Sequence, residues 1–455
     1  MDTLIGDGLI SAVEGNAGIF IFLIELGIIV ALVNRAGAAQ AFGRWAEKNI
    51  KTKIGAILAT FVLGVLIFID DYFNCLTVGS VMSPITDSKK ISRAKLSYLI
   101  DATAAPVCMI APISSWAAAV SSSIPEDMDI GMSGLELFVR AIPFNFYSLL
   151  TFVFIIAITL MGFDYGKMAE FEIKAQNGDL GILGKKDEAE DENLRGSVLD
   201  LIIPIIILIV VCILALMYVG GFFDASNDYY MDFVGAFGDT DATVGLPWGG
   251  LISLVLIIVY LILRRHVDFK GAMEAVPQGF IAMVPAILIL TFASGLKNTT
   301  NLLGSDDFVK SIMENASSLA SLLPAVIFLV ACFISFATGT SWGTFGILIP
   351  IVLSVFPVGD PLLFIGISAC LAGAVCGDHC SPISDTTIMA SAGGQCNHVD
   401  HVSTQLPYAI TVATISFIMF IISGFVQNAW ICLPIGVVLT VGTLFVIKMI
   451  TKKKA

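Results

Sequence analysis

Long apolar segments alternate with short polar ones along most of the chain. A helix needs about 20 apolar residues to cross the hydrocarbon core of a bilayer. The pattern therefore predicts an all-α polytopic membrane protein. The apolar segments lie at approximately 17–35, 54–86, 97–121, 141–162, 198–220, 247–264, 277–297, 320–357, 362–391, 406–426 and 430–448.

Basic residues orient these segments, because lysine and arginine are enriched in short cytoplasmic loops. They predict a multi-pass protein of the cytoplasmic membrane, with its N-terminus outside and its C-terminus in the cytoplasm. The acidic stretches 126–129 and 224–241 are predicted outside. The first ten residues lack a basic n-region, so no cleavable signal peptide is expected. The inside loops contain Arg44, Lys48, Lys51, Lys53, Lys89, Lys90, Arg93, Lys95, Lys185, Lys186, Arg264, Arg265 and the basic tail 452–454.

Two apolar segments do not fit simple spans. Segment 54–86 has both ends on the predicted cytoplasmic side, yet two full spans need about 40 residues. Segment 320–357 has the same problem, with both ends predicted outside. A re-entrant helical hairpin, or two short legs, fits each segment better.

A repeat accounts for one hairpin on each side. The motif API-SSW at 111–116 aligns with SPI-SDT at 381–386, an offset of 382 − 112 = 270 between the prolines. Upstream, 68–85 resembles 336–351, and 17–35 parallels 277–297. The order is span, hairpin and proline-broken span in both halves, which face opposite ways. Two inverted-topology repeats with discontinuous helices are typical of secondary transporters.

The repeat divides the chain into four parts. Residues 1–162 are the first inverted repeat, and 163–197 are a charged cytoplasmic loop. Residues 198–264 form connecting transmembrane helices, and 265–455 hold the second repeat and the C-terminal helices. The loop mixes charges of both signs, so we expect it to be solvated and partly disordered.

Composition agrees with a membrane protein and excludes one class of partner. The chain is 57% hydrophobic and only 13% charged, against about 25% in soluble domains. Its formal net charge of −13 argues against nucleic-acid binding. The acidity does not identify a cationic substrate, because exposed acidic loops produce it equally well.

The broken segments supply oxygen atoms, which a hard cation such as Na⁺ prefers. Prolines 106, 112 and 382 remove backbone donors and leave carbonyl groups available. Hydroxyl groups in membrane helices also bond back to their own helix, and that alternative stays open for each one. The candidate amide and hydroxyl ligands are Asn74, Thr77, Ser114, Ser115, Thr338, Thr340, Ser341, Ser381, Ser384, Thr386 and Thr387.

Carboxylates in apolar segments are stronger candidates than the hydroxyl groups, and Asp378, Asp385 and Glu25 are the candidates for proton coupling. Asp70 and Asp71 end the first leg of one hairpin, and Asp378 and Asp385 flank Pro382. Asp101 lies beside the first broken helix. A desolvated carboxylate can hold a proton or help to bind Na⁺, but not both well. The competing interpretation is a permanent ion pair with lysine or arginine.

Two further groups admit alternatives. Glu25 is in the middle of a span and is interpreted as a proton relay or as one partner of an ion pair. His379 is a candidate pH-responsive gate, because an imidazole titrates near neutrality. With Cys380, Cys396, His398 and His401 it also suggests zinc, although the spacing matches no familiar ligand set. His398 and His401 are expected in a cytoplasmic loop, so an intramembrane metalloenzyme is a remote alternative.

The sequence GDHCSPISDTT at 377–387 closely resembles the signature of NhaC-type Na⁺/H⁺ antiporters. Segments 70–74 and 82–107 resemble a branch of that family. The resemblance implies the ion transporter superfamily, whose members have two inverted repeats and often work as elevators in homodimers. It implies a first ion site at Asn74 and Ser114, and a second at Thr340, Asp378, Ser381 and Asp385. It also implies a transporter rather than an enzyme.

The leading hypothesis is a Na⁺/H⁺ antiporter that works by alternating access and needs no cofactor beyond the ions it moves. A Na⁺- or H⁺-coupled exchanger of a small organic acid or amino acid is the main alternative, because the resembling family contains such exchangers. A passive channel fits the inverted repeats less well. If the second half holds the exchangeable carboxylates, Asp385→Asn will impair coupling far more than a change at Ser115.

Overall fold

The computed structural model describes residues 3–15, 17–68, 71–124, 131–183, 196–238, 240–302 and 317–452. Of the candidate residues, Asp70 lies outside these ranges. Asp385 is described as part of a helix, but its side chain lies outside the description.

Helices account for nearly all of the described residues, and no strand is formed in those ranges. An isolated antiparallel bridge pairs Ile182 with Cys396. A π-helical stretch covers Thr3–Ile10, and 3₁₀ turns cover Ile142–Phe144 and Ser317–Leu322. The α-helices are α1 Ser11–Gly15, α2 Ala17–Arg35, α3 Ala38–Asn49, α4 Lys53–Leu66, α5 Asp71–Ser88, α6 Arg93–Asp101, α7 Ala105–Cys108, α8 Ser115–Ser122, α9 Gly134–Ala141, α10 Phe146–Met161, α11 Lys167–Gln176, α12 Leu199–Val219, α13 Phe233–Gly238, α14 Ala242–Leu263, α15 Phe269–Leu302, α16 Leu323–Thr338, α17 Ser341–Val355, α18 Pro361–Cys380, α19 Asp385–Gly393, α20 His398–Val426 and α21 Ala429–Lys452.

Seven helices within the described ranges are long and apolar enough to cross a bilayer. The count becomes eight if Gly134–Phe144 and Phe146–Met161, bent by 45°, form one span. The prediction of an all-α polytopic membrane protein is therefore confirmed. The inverted relation between the halves stays a prediction.

Helix α18 forms the centre of the second half and is buried along nearly its whole length. Gly373 and Gly377, four residues apart on α18, lie against α16. A Cβ atom at Gly373 would come within 2.4 Å of the Phe328 carbonyl oxygen, and one at Gly377 within 2.3 Å of the Cys332 carbonyl oxygen. Small residues at this spacing let the two backbones touch, as in many membrane helix pairs.

Each predicted hairpin segment consists of two helices joined by a short break. α4 and α5 are separated after Ile67, and α16 and α17 are separated by Gly339 and Thr340. α4 has 14 residues and α17 has 15, or roughly 21 to 23 Å at 1.5 Å per residue. Both are shorter than the hydrocarbon core of about 30 Å. One leg of each segment is therefore short, as predicted, but Ala320–Thr338 is long enough to span, and the re-entrant course of both segments stays a prediction.

Part of the loop predicted to be solvated is folded. Helix α11 lies within it, and the side chain of Glu172 is buried there. One oxygen of Glu172 accepts hydrogen bonds from Ser92 N and Oγ at 2.8 and 2.7 Å, and the other pairs with Lys53. Mixed charges favour solvation only when they lack partners, and these partners come from distant helices. We call the surface formed by α11, Lys53 and Ser92 the α11 face, which the basic residues predict to be cytoplasmic.

Candidate functional site

The helix break between α18 and α19 organises the site. Ser381 precedes Pro382 and is extended, with φ −84° and ψ 128°, because the proline ring disfavours a helical conformation in the residue before it. Ser384 caps α19 by accepting a hydrogen bond from Thr387 N at 3.1 Å. Proline and cap together leave the last carbonyl groups of α18 available for other donors.

Asp378 lies at the end of α18 with 1% of its surface exposed. Its Oδ2 accepts a hydrogen bond from the hydroxyl of Thr386 at 2.9 Å, and Thr386 lies 3.1 Å from the hydroxyl of Ser384. The predicted residues Asp378, Ser384 and Thr386 are thus brought together. The bend at the proline folds the start of α19 back onto the last turn of α18.

A second carboxylate joins this break from the other half of the chain. Asp101, the last residue of α6, is fully buried. Its Oδ2 accepts hydrogen bonds from Thr387 Oγ1 at 3.0 Å and from Gln405 Nε2 at 2.7 Å. Its Oδ1 has no hydrogen-bond donor and lies 3.6 Å from Nε2 of His379. Thr387 was among the hydroxyl groups expected from the sequence, whereas Asp101 was noted but not assigned to the site, and Gln405 was not expected there.

His379 connects the two halves through its ring. Nε2 lies 2.8 Å from the main-chain oxygen of Asp101, and Nδ1 lies 3.1 Å from the Tyr147 hydroxyl. A carbonyl oxygen can only accept, so Nε2 carries a proton in this arrangement. Gln405 donates a further hydrogen bond, of 2.6 Å, to the carbonyl oxygen of His379. The imidazole is therefore held at both nitrogens beside the buried carboxylate.

Hydrogen bonds from Asn74 stabilise the break between α4 and α5. Its Nδ2 donates to the carbonyl oxygens of Gly64, Ile67 and Thr103 at 2.7, 2.9 and 3.0 Å. The amide thus joins the first hairpin to the chain that follows α6. Its Oδ1 is buried and has no hydrogen-bond donor. Oδ1 of Asn74 is a candidate cation ligand.

The first hairpin also packs on the break of the second half. Asp71 and Thr77 of α5 are buried, and Cys75 Sγ lies 3.7 Å from the carbonyl oxygen of Thr386. At Gly79 the backbone of α5 crosses α19 closely, because a Cβ there would lie 2.3 Å from Gly393. The structure therefore packs α5, the helix that carries Asn74, against the break of the second half.

The second hairpin forms a matching contact with its own break. Gly339 ends α16 with φ +69°, and a Cβ there would lie 2.6 Å from the Ile383 carbonyl oxygen. Thr340 caps α17 by accepting from Gly343 N at 3.3 Å. Ser381 donates to the carbonyl oxygen of Phe336 at 2.8 Å. The tip of this hairpin is thereby attached to the 381–384 break.

The remaining hydroxyl candidates differ in their surroundings. Ser341 donates to the carbonyl oxygen of Ala374 at 3.2 Å. Thr338 is exposed and donates to Ile334 O of its own helix at 2.8 Å. Ser114 caps α8 and donates to the carbonyl oxygen of Cys108 at 2.8 Å.

Two candidates retain buried oxygens without a hydrogen-bond partner. Ser115 is fully buried, and its hydroxyl has none. Next to it, Trp116 packs edge-on against Trp342 of α17 at 6.0 Å between ring centroids. Glu25 is also buried, with Oε2 directed towards Gly250 of α14. Glu25 thus lies in a contact with α14, separate from those that join the two breaks.

The described side chains do not form a transition-metal centre. No group of three or more His, Cys, Asp or Glu residues has a metal-binding arrangement within the described ranges. The sequence placed His401 in a cytoplasmic loop, but it is fully buried in the first turn of α20. Its Nε2 lies 3.7 Å from Asp101 Oδ2.

The comparison with protein families gives the class of the molecule. The model of the Na⁺/H⁺ antiporter family matches residues 107–425, well over half of the chain. The chain belongs to the Na⁺/H⁺ antiporter family. It is a multi-pass transporter of the antiporter type and not an enzyme, and the resemblance to NhaC-type antiporters is confirmed.

Similar proteins differ in the substrates that their names give. An uncharacterised protein of Haemophilus influenzae is 36% identical over 453 residues, which is 97% of this chain and 84% of that one. A malate-2H⁺/Na⁺-lactate antiporter of Bacillus subtilis is 30% identical over 184 residues, 39% of each chain. The arginine/ornithine antiporter ArcD of Halobacterium salinarum is 35% identical over 113 residues, 23% of each chain.

Proposed function

We propose that this antiporter exchanges Na⁺ for protons by alternating access, with its coupling site at the break between α18 and α19. The observation that carries the proposal is the joining of two buried carboxylates through consecutive hydroxyls. Thr386 donates to Asp378, and Thr387 donates to Asp101. The two aspartates come from opposite halves of the chain.

The charges around Asp101 support this exchange. The ion-pair partners that the structure gives it are His379 and His401, which are cationic only when protonated. A buried carboxylate is costly unless a proton or a cation neutralises it. Because no permanent cation is assigned to this role among the described ion pairs, a proton and Na⁺ can compete for it.

The side-chain oxygen atoms near the two helix breaks support two ion positions. In the first half, Asn74 Oδ1 and Ser115 Oγ are buried oxygens without a hydrogen-bond partner. In the second, Asp378, Thr386 and the cap residue Thr340 surround the break. Oxygen-only ligands suit Na⁺ better than a transition metal. We assign Na⁺ to these two positions as transported ion, and we retain a homodimeric elevator as the expected mechanism.

The experiment is a Na⁺-driven pH change in proteoliposomes loaded with a pH-sensitive dye. The wild-type protein should acidify or alkalinise the lumen according to the direction of the Na⁺ gradient. Asp378→Asn and Asp101→Asn should abolish the response, whereas Asp224→Asn in an exposed loop should preserve it. The absence of any Na⁺-dependent pH change with the wild-type protein, at every pH tested, would refute the proposal.

Exchange of a small organic substrate is the second candidate, favoured by the names of two relatives. Those names include malate, lactate, arginine and ornithine. If the site takes such a molecule together with Na⁺, the substrate will raise the melting temperature only when Na⁺ is present. A Na⁺ effect that no organic acid or amino acid changes would exclude this candidate.

A further inference from the structure

Two histidines at the start of α20 face one hydroxyl group. His398 and His401 are three residues apart and therefore on the same side of the helix. Nδ1 of His398 lies 2.9 Å from Ser391 Oγ, and Nδ1 of His401 lies 2.8 Å from the same atom. With Cys396 they form the cysteine–histidine group noted in the sequence, and neither His398 nor Ser391 has a role in the function proposed above.

The other nitrogen of each ring has a fixed role. Nε2 of His398 lies 2.7 Å from the carbonyl oxygen of Pro382, which can only accept a hydrogen bond. Nε2 of His401 lies 3.0 Å from Gln405 Oε1. The amide orientation of Gln405 is set because its Nε2 donates to Asp101 Oδ2 and to the carbonyl oxygen of His379. Both histidines therefore carry a proton on Nε2.

Counting hydrogens at Ser391 gives the consequence. With both rings neutral, the hydroxyl faces three acceptors, namely the two Nδ1 atoms and the carbonyl oxygen of Thr387 at 2.8 Å. A hydroxyl has one hydrogen to donate but can accept two hydrogen bonds. Each proton added to an Nδ1 turns an unfavourable contact into a hydrogen bond. One protonated imidazole therefore leaves one of the three contacts unsatisfied, and all three become hydrogen bonds only when both imidazoles are protonated.

The cluster formed by His398, Ser391 and His401 extends from the surface of the protein to the buried carboxylate of Asp101. His398 is half-buried next to the exposed Val399, whereas His401 is fully buried. Cys396, two residues before His398, forms the isolated β-bridge with Ile182, in the segment that follows α11. The cluster therefore opens at the α11 face. At its inner end, His401 Nε2 is 3.7 Å from Asp101 Oδ2.

We propose that His398, Ser391 and His401 form a relay that carries protons between the α11 face and Asp101. A proton on Nδ1 of His398 passes to Ser391 Oγ while the hydroxyl proton passes to Nδ1 of His401. His398 is left neutral, and His401 becomes the cation. The Nε2 proton of His401 then reaches Asp101 when the two groups close from 3.7 Å to hydrogen-bond distance, about 2.7 to 3.2 Å. The relay deepens the proposed function and rests on it for the use of the proton.

Other ionisable groups face both ends of the relay. At the inner end these are Asp101 of α6 and His379 of α18. At the outer end they are Asp400 in the first turn of α20, Cys396 just before α20, and Arg93 of α6. The guanidinium of Arg93 donates to the carbonyl oxygen of Gly394 at 3.1 Å.

The test uses everted membrane vesicles, in which the predicted cytoplasmic face meets the medium. His398→Ala should slow Na⁺-driven proton movement by roughly an order of magnitude in weak buffer, as expected for loss of a proton-transfer group. Imidazole added to the medium should restore the rate, because His398 is accessible there. Ser391→Ala should slow transport without rescue by imidazole. His266→Gln, which alters a histidine beside Asp200, should behave as wild type.

The outcomes separate the relay from the proposed function. A wild-type protein that does not respond to Na⁺ refutes the function. Wild-type rates in both His398→Ala and Ser391→Ala refute the relay. A slow His398→Ala variant that imidazole does not restore, and that binds Na⁺ more weakly, also refutes it, because the role is then structural.

A second measurement does not depend on the transported ion. The chain has four histidines, so single substitutions assign their imidazole ¹⁵N NMR signals in purified protein. The Nδ1 signals of His398 and His401 should both shift when Ser391 is replaced by alanine, because its hydroxyl is the hydrogen-bond partner of both atoms. Nδ1 signals that Ser391→Ala leaves unchanged would overturn the relay.

Discussion

The hydroxyl of Thr387 donates to Oδ2 of Asp101 across 3.0 Å. This bond joins the end of α6 to the start of α19, which are 286 residues apart in the chain. The neighbouring hydroxyl of Thr386 binds Asp378. A movement of α19 relative to both α6 and α18 would therefore change the hydrogen bonding of both carboxylates together, which is what coupling of two ions to one movement requires.

This arrangement predicts different effects for two neighbouring threonines. Thr387→Val removes a donor from Asp101 at nearly constant volume, and Thr386→Val does the same for Asp378. We expect Thr387→Val to shift the pH profile of transport and Thr386→Val to raise the half-saturating Na⁺ concentration, because the relay ends at Asp101. The measurement is dye-reported transport over a grid of pH and Na⁺. Identical shifts in both variants would contradict this division.

Asn74 yields a prediction about Na⁺ binding in the first half. Asn74→Ala removes the buried Oδ1 and frees three carbonyl oxygens, so Na⁺ should stabilise the variant less than the wild type. The measurement is the melting temperature in detergent as a function of Na⁺ concentration. Asn49→Ala, at the exposed end of α3, is the matched control. An unchanged Na⁺ dependence in Asn74→Ala would remove this residue from the ion site.

Gly339 is required by the tip of the second hairpin. Gly339→Ala places a Cβ 2.6 Å from the Ile383 carbonyl oxygen and holds alanine at φ +69°, which should cost about 1 to 3 kcal/mol. The expected result is a lower melting temperature and weaker Na⁺ binding. Gly442→Ala in α21 is the control, since nothing lies within 4 Å of its added Cβ. Equal melting temperatures for the two variants would contradict the assignment.

Asp164 predicts an acid-sensitive contribution to stability at the α11 face. Burial raises the pKa of Asp164, but the ammonium group of Lys95 and the hydrogen bonds from Lys95 and Tyr408 outweigh it, so the pKa lies below the ordinary value of 3.8. The stabilisation is therefore complete above that value and is lost as the pH falls through the lower pKa of the folded protein. Asp164→Asn leaves Lys95 buried without its counter-ion and should cost roughly 3 kcal/mol.

The check is the melting temperature at several pH values below neutrality. Asp164→Asn should melt lower than the wild type at pH 7, and the difference should shrink in strong acid. Asp224→Asn is the control. It removes a carboxylate whose pKa is also lowered, by hydrogen bonds from Ser226, but this carboxylate is fully exposed. A constant difference for Asp164→Asn at all pH values would refute the ion-pair explanation.

The sequence by itself determined the features that depend on local physics. Apolar length defined membrane helices, and the restriction that Pro382 imposes on Ser381 predicted the break before α19. The positive φ at Gly339 and the caps at Ser384 and Thr340 also depend on local physics, but they were not predicted from the sequence. The motif at 377–387 was sufficient to indicate the family.

Only the tertiary structure decided which distant groups meet at the break. Asp101, Thr387 and Gln405 converge across separations of up to 304 residues, and hydrophobic periodicity does not say which neighbour a buried polar side chain will face. For the same reason the burial of Glu172 and His401 was missed. A charged or titratable group becomes stable inside a protein through its partners, and those partners are set by helix packing rather than by sequence spacing.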